Sequence, residues 1–166
     1  MSLCALPVRA LISSTVRRRF LPASRAAPLV PVTPIHHIRA MADITPVFSK
    51  EAAPPAGPYS HAIKTPTAIY CSGQIPSDAD GNLVQGSIGD KTAACLRNLK
   101  GVLAAAGSSL DRVVKVNIFL TDMEYFGEMN QTYEKWFVSH KPARSCVAVK
   151  QLPKGVEIEI ECIALP

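Results

Sequence analysis

The sequence predicts a two-layer α+β domain running from about residue 45 to the C-terminus. Three observations carry that prediction. Val156 to Ala164 alternates apolar and mostly charged side chains with period two. Leu96, Leu99, Leu103 and Ala106, joined by Val102, recur at helical spacing. Around these the signals follow the order strands, helix, strand, helix, two strands, in which two helices can cover one face of a mixed sheet.

The stretch around Pro54, Pro55, Gly57 and Pro58 reads as a loop, because its prolines deny it helix and ladder alike. Strands follow at His61 to Lys64 and Ala68 to Ser72, with a turn near Pro66. Gly73 to Gly86 reads as a loop with a turn at Asp80-Gly81-Asn82. Ser87 to Ala106 is predicted helical, and Gly107 stands where a helix C-terminus favours glycine. Alternation from Val113 to Leu120 puts Val114, Val116, Ile118 and Leu120 on one strand face.

A second helix is predicted from about Glu124 to Ser139, with Phe126, Met129, Tyr133, Trp136 and Phe137 on its apolar face. His140 at its end would complement the helix dipole. Pro142 closes that segment, and Arg144 to Lys150 is a strand. Pro153-Lys154-Gly155 turns the chain into the last strand. There Val156, Ile158, Ile160, Cys162 and Ala164 share one face, and Glu157, Glu159, Glu161 and Ile163 the other. The sheet face without helices must meet water or another subunit.

The net charge of +5 does not belong to this domain. All six charged residues before Asp43 are arginines: Arg9, Arg17, Arg18, Arg19, Arg25 and Arg39. The rest holds 12 basic and 13 acidic residues, a net charge of −1. A near-neutral domain lacks the electrostatic footprint of a nucleic-acid binder. Residues 1–42 read as an organelle transit peptide: Arg, Ser and Ala without acid, with a basic amphipathic stretch from Val8 to Phe20. This predicts a mitochondrial matrix protein, against the alternative of a tail with no address. Met41 offers a second start and a cytosolic form. No apolar run is long enough to predict a membrane span. The five cysteines contain no C-x-x-C pair and read as free thiols, with no metal site suggested.

Within the domain, Pro142-Ala143-Arg144-Ser145-Cys146 is the first candidate site. Arg144, Cys146 and Ala148 share a strand face, and the two small neighbours leave room beside a guanidinium that can grip a carboxylate bidentately. The competing reading is a strand-end arginine in a structural ion pair. Only Arg97 and Arg112 accompany it in the domain. Glu157, Glu159 and Glu161 are either a solvated face or, beside a pocket, a source of one carboxylate that orients water or takes a proton. Tyr59, after the Gly57-Pro58 turn, either caps a pocket with its phenol or packs at a strand start. Ser72 and Gly73 offer a hydroxyl and a close backbone approach, or form a simple bulge. His61 and His140 are the domain's only histidines, and no nucleophilic triad suggests itself.

Together, Ala56-Gly57-Pro58-Tyr59, Ser72-Gly73-Gln74-Ile75-Pro76, the Asn130, Thr132, Tyr133 motif, Pro142 to Val147, and Leu152-Pro153 to Glu161 resemble the RidA (YjgF) family over about residues 46–165. With its leader, the chain is similar to the fungal mitochondrial members. The resemblance implies a chorismate-mutase-like fold, a mixed six-stranded sheet with two helices on one face. It implies a homotrimer with ligand sites between subunits. The implied activity is enamine/imine deamination, the hydrolysis of 2-iminobutanoate, 2-iminopropanoate and 2-aminoacrylate to 2-keto acids and ammonia, with no cofactor. The family's carboxylate anchor falls on Arg144, and two of its pocket residues fall on Glu159 and Tyr59, which we expect to orient water or relay a proton and to close the pocket. Its other pocket residues fall on Ser72, Gly73, Asn130 and Cys146. The short link His140-Lys141-Pro142 departs from bacterial members and would reshape the cleft rim. Family members described as ribonucleases or translation inhibitors supply one alternative. A non-catalytic, chaperone-like trimer that binds small carboxylates is another.

Overall fold

The computed structural model describes residues 43–166. The predicted transit peptide, its basic helix and Met41 lie outside the described residues. Six strands form one sheet: β1 (Thr45–Val47), β2 (Ala62–Lys64), β3 (Ile69–Gln74), β4 (Val113–Leu120), β5 (Ala143–Ala148) and β6 (Ile158–Ala164). Their spatial order is β1-β2-β3-β6-β4-β5. All pairs are antiparallel except β4 with β5. Helices α1 (Ile88–Ala105) and α2 (Phe126–Tyr133) cover one face. The sheet is therefore mixed, as expected.

Local chemistry explains the long helix. The Ser87 hydroxyl accepts a hydrogen bond from the Asp90 amide, and the Asp90 carboxylate accepts one from the Ser87 amide, both at 3.1 Å. This reciprocal cap satisfies two amides that a helix start leaves unpaired. At the other end Gly107 adopts φ +76°, and Ser108 and Gly107 donate to the Leu103 and Ala104 carbonyls. That left-handed residue is what glycine supplies cheaply at a helix end. Leu96, Leu99, Val102 and Leu103 are fully buried and face Ile118, Leu120, Ile158 and Ile160 of the sheet. Removing such side chains from water is the main stabilising contribution, about 2 kcal/mol each.

Several elements differ from expectation. β1 is absent from the pattern reading because three residues containing a proline carry no periodic signal. It is an edge strand, where a missing amide is tolerated. β3 extends through Gly73 and Gln74, which were expected in a loop. Val114 does not share a face with Val116. A register irregularity between Val113 and Lys115 turns Val113 into the core and leaves Val114 exposed. β5 is Ala143–Ala148 rather than Arg144 to Lys150, and β6 starts at Ile158 because Val156 still belongs to the preceding turn.

The second helix is shorter than predicted. A 3₁₀ turn at Met123–Tyr125 leads into it, and it ends at Tyr133. Lys135 and Trp136 then donate to the carbonyls three residues back, which tightens the backbone. The tightened turn brings the Phe137 ring against Tyr133, with centroids 4.7 Å apart. His140 is therefore not a helix-end dipole partner. Its Nε2 instead bonds the Val113 carbonyl at 2.6 Å, tying the approach to β5 to the start of β4.

Candidate functional site

A cleft of about 350 Å³ opens where β3 and β6 meet the loop before β2. Tyr59, Ser72, Gly73, Ile75, Lys154 and Glu159 line it. The Gly57-Pro58 turn presents Tyr59, whose phenolic oxygen accepts a hydrogen bond from the Ala56 amide at 3.2 Å. The phenol's own proton remains available to donate. The Ser72 hydroxyl donates to the Ser60 carbonyl at 2.7 Å, so it can offer a ligand only its lone pairs. This bond and the Ser72 amide's bond to the His61 carbonyl fasten the Tyr59 segment to β3.

The three glutamates have different environments. Glu157 is paired with Lys91 at 2.7 Å, and that hydrogen bond lowers its pKa. Glu161 accepts from the Asn117 side chain at 2.8 Å. Glu159 alone of the three has no hydrogen-bond or ion-pair partner among the described residues. Burial, and secondarily the neighbouring Glu161 charge, raise its pKa above the usual carboxylate value. Its side chain lies across Gly73, where a methyl group would meet the carboxylate oxygen Oε1 at 1.9 Å. Glycine at this position leaves the space that the Glu159 carboxylate occupies. The result is a half-buried, unpartnered carboxylate that binds a proton more readily than usual, as acid–base work demands.

Across the molecule, a second cleft of about 430 Å³ lies between α2 and the edge strand β5. Asn130, Tyr133, Glu134, Lys141, Pro142 and Arg144 line it. Arg144 sits opposite Val116, a core residue, so its side chain leaves on the helix-covered face of the sheet. Its guanidinium carbon lies 4.6 Å from the Tyr133 ring centroid and 5.8 Å from that of Phe126. Among the described residues no carboxylate pairs with it, so the ion-pair reading of Arg144 has no support. Arg112, by contrast, is committed to the Leu165 and Pro166 carbonyls. Cys146 follows Arg144 on the same strand face, and burial raises its thiol pKa against the opposing influence of Arg144. It is a poor nucleophile.

The expected residues thus fall into two groups. Tyr59, Ser72, Gly73 and Glu159 come together in the first cleft, and Asn130 and Arg144 in the second, with Cys146 beside Arg144 along β5. Glu159 lies on the face opposite to that of its core neighbours Ile158 and Ile160, whereas Arg144 shares the helix-covered face. β6 and β5 are also two strands apart, about 10 Å at ordinary strand spacing. One small ligand cannot touch both groups within a single subunit. Of the lining residues to which the sequence assigns no site role, two stand out. Lys154, at φ +54°, is the one non-glycine residue in left-handed backbone among the described residues, and its place in a turn gave the only sign of it. Tyr133 belongs to the predicted apolar helix face and to the family motif without a role in a site, although its spacing from Asn130 puts both over one cleft.

Fold and clefts define a class: a small two-layer α+β domain that offers small-ligand clefts at two margins of its sheet. The chain belongs to the Endoribonuclease L-PSP family, the RidA (YjgF) family, whose pattern matches residues 50–166. It is 55% identical over 121 residues to Protein HMF1 of Saccharomyces cerevisiae, covering 73% of this chain and 94% of that one. It is 51% identical over 157 residues to the mitochondrial protein mmf1 of Schizosaccharomyces pombe, covering 89% of this chain and 95% of the relative. The crystal structure of yeast Mmf1 superposes with a TM-score of 0.72 at 51% identity, over 74% of this chain and 98% of that one. That of E. coli TdcF with bound serine gives 0.70 at 33% identity, over 74% and 98%.

Proposed function

We propose that the protein is an enamine/imine deaminase that converts 2-iminobutanoate, 2-iminopropanoate and 2-aminoacrylate to 2-keto acids and ammonia. The observation that carries this reading is the pairing of two complementary half-sites. Among the described residues, one offers an arginine with no acidic partner, the other a carboxylate with no basic partner and a raised pKa. A small imino acid has a carboxylate for the first and a hydrolysable C=N bond for the second. The two half-sites meet in a homotrimer, where one subunit's β5 margin faces the neighbour's β3–β6 cleft. The bound serine of TdcF, a relative at 33% identity, is a ligand of the same size and with the same carboxylate.

In this mechanism Arg144 fixes the carboxylate by two parallel hydrogen bonds. Glu159 takes a proton from water as its oxygen attacks the imine carbon. The C=N pair moves to nitrogen, and Glu159 returns the proton there, giving a neutral carbinolamine. Glu159 then carries the carbinol hydroxyl proton to the amino nitrogen as the C–N bond breaks with its pair on nitrogen, so that ammonia leaves and the carbonyl forms. 2-Aminoacrylate enters this sequence as its tautomer, 2-iminopropanoate. Tyr59 closes the pocket, Asn130 and the backbone near Gly73 and Cys146 hold the substrate, and no cofactor takes part. Orientation supplies much of the acceleration.

We also place the protein in the mitochondrial matrix. Several relatives are named mitochondrial, and residues 43–166 make up only about three quarters of the chain, so the 89% match to fission-yeast mmf1 reaches into the leader. The family description favours an RNA-cleaving reading as the second one. The domain's net charge of −1 opposes it. The deciding experiment adds the leader-free protein to a pyridoxal-phosphate-dependent dehydratase and measures 2-keto acid release. Faster release supports the deaminase. No acceleration, with cleavage of single-stranded RNA by the same preparation, would overturn it.

A further inference from the structure

We infer that Tyr133 is the positioning residue for Arg144, holding the guanidinium by its ring face so that every N–H donor stays free for a carboxylate. Arginines in proteins are usually held by carboxylates, which occupy their donors and cancel their charge. Arg144 is held differently. Its nearest neighbours of this kind are aromatic faces, Tyr133 at 4.6 Å and Phe126 at 5.8 Å. Glu134 lines the same cleft but forms no ion pair with it. A ring face attracts the cation through its quadrupole without acting as an oxygen acceptor, and no Arg144 guanidinium N–H is bonded to a protein oxygen among the described residues.

The stack has its own support. Tyr133 is 5% exposed and is backed by the Phe137 ring at 4.7 Å, which the tightened turn after α2 brings into place. The Tyr133 hydroxyl is buried without a hydrogen-bond partner, the only such side-chain atom among the described residues. The hydroxyl therefore contributes no bond that phenylalanine would lose. Tyr133 serves through its ring, and Tyr133→Phe is the conservative variant that keeps the function.

The inference rests on the deaminase reading for its kinetic consequence, but the stack can be measured without it. In ¹⁵N-labelled protein, ring current shifts the Arg144 Nε–Hε signal away from its position in a short peptide, and Arg144→Lys identifies the signal. The shift is expected in the wild type and in Tyr133→Phe and is lost in Tyr133→Met. A wild-type signal at the peptide position overturns the inference, whatever the variants do. For the carboxylate, titration with 2-oxobutanoate is expected to give about 3- to 30-fold weaker binding to a folded Tyr133→Met than to the wild type. Tyr133→Phe stays within about twofold. In the imine assay the same loss appears in KM rather than kcat. Unchanged 2-oxobutanoate affinity in a folded Tyr133→Met overturns the inference. A wild type that neither binds 2-oxobutanoate nor hydrolyses imines overturns the deaminase reading instead, and leaves the ring-current result to decide the stack.

Discussion

The Glu159 carboxylate occupies the space that a side chain on Gly73 would take, with Oε1 1.9 Å from where a methyl carbon would stand. The obstructing atoms are the far end of a flexible side chain, and Gly73 has no positive φ that alanine would resist. Gly73→Ala should therefore fold, with stability changed by no more than about 1 kcal/mol, while its methyl displaces the carboxylate. Activity is expected to fall as far as in Glu159→Gln. Near wild-type turnover in Gly73→Ala would show that the reaction does not use Glu159 in this position.

Glu159 itself should show opposed effects on stability and activity. Its folded-state pKa is raised, chiefly by burial. Below the ordinary carboxylate range both folded and unfolded chains hold the proton. As pH rises through that range the unfolded chain ionises first, so stability falls until the folded pKa is passed. At pH 7 the charge is a net destabiliser. Glu159→Gln should therefore raise Tm at pH 7, with a smaller gain at pH 4, while turnover drops about 10²-fold or more. A Tm gain that is the same at both pH values would mean that the charge is not its source.

Arg144 and Glu159 should complement each other between subunits. Arg144→Ala is expected to lose about 10²-fold in kcat/KM, and Arg144→Lys to recover only part of it, since an ammonium lacks the two-pronged geometry. In the proposed trimer each site takes Arg144 from one subunit and Glu159 from the next. Mixing Arg144→Ala and Glu159→Gln subunits in equal amounts through unfolding and refolding should restore about a quarter of the wild-type sites. Mixed trimers detected by mass spectrometry but without recovered activity would show that Arg144 and Glu159 do not act together across a subunit boundary.

The extent to which this fold could be read from sequence follows the range of the forces involved. β6 was legible because alternation over seven residues reflects which face is buried. α1 was legible because its face repeats and its ends carry Ser87 and Gly107. The irregularity beside Val114 was not, since it depends on how β4 registers with β6, 44 residues distant at the Asn117–Glu161 pair. The site residues were recognisable as motifs, but their division was not. Whether Arg144 and Glu159 share a cleft depends on the strand order β6-β4-β5, which no local pattern encodes. The ring beneath Arg144 was hidden for the same reason: α2 and β5 meet only once β5 has paired with β4.

His61 should prove a structural requirement of the first cleft. It is 2% exposed, and both ring nitrogens are bonded to one loop. Nδ1 accepts from the Ser49 amide at 2.9 Å, and Nε2 donates to the Ala53 carbonyl at 2.8 Å. These bonds anchor the stretch that leads through Ala56 to Tyr59. His61→Ala leaves the buried Ser49 amide without an acceptor and opens a void, which should cost about 2–4 kcal/mol. Because the lost bonds are local, the loop should loosen before the domain does. Hydrogen exchange of the Ser49 amide should then accelerate far more than that of Leu99 or Ile160 in the core. Turnover should fall through a less well-placed Tyr59, while 2-oxobutanoate binding at Arg144 suffers less. Equal acceleration at Ser49 and in the core would show that His61 supports the whole fold rather than this loop.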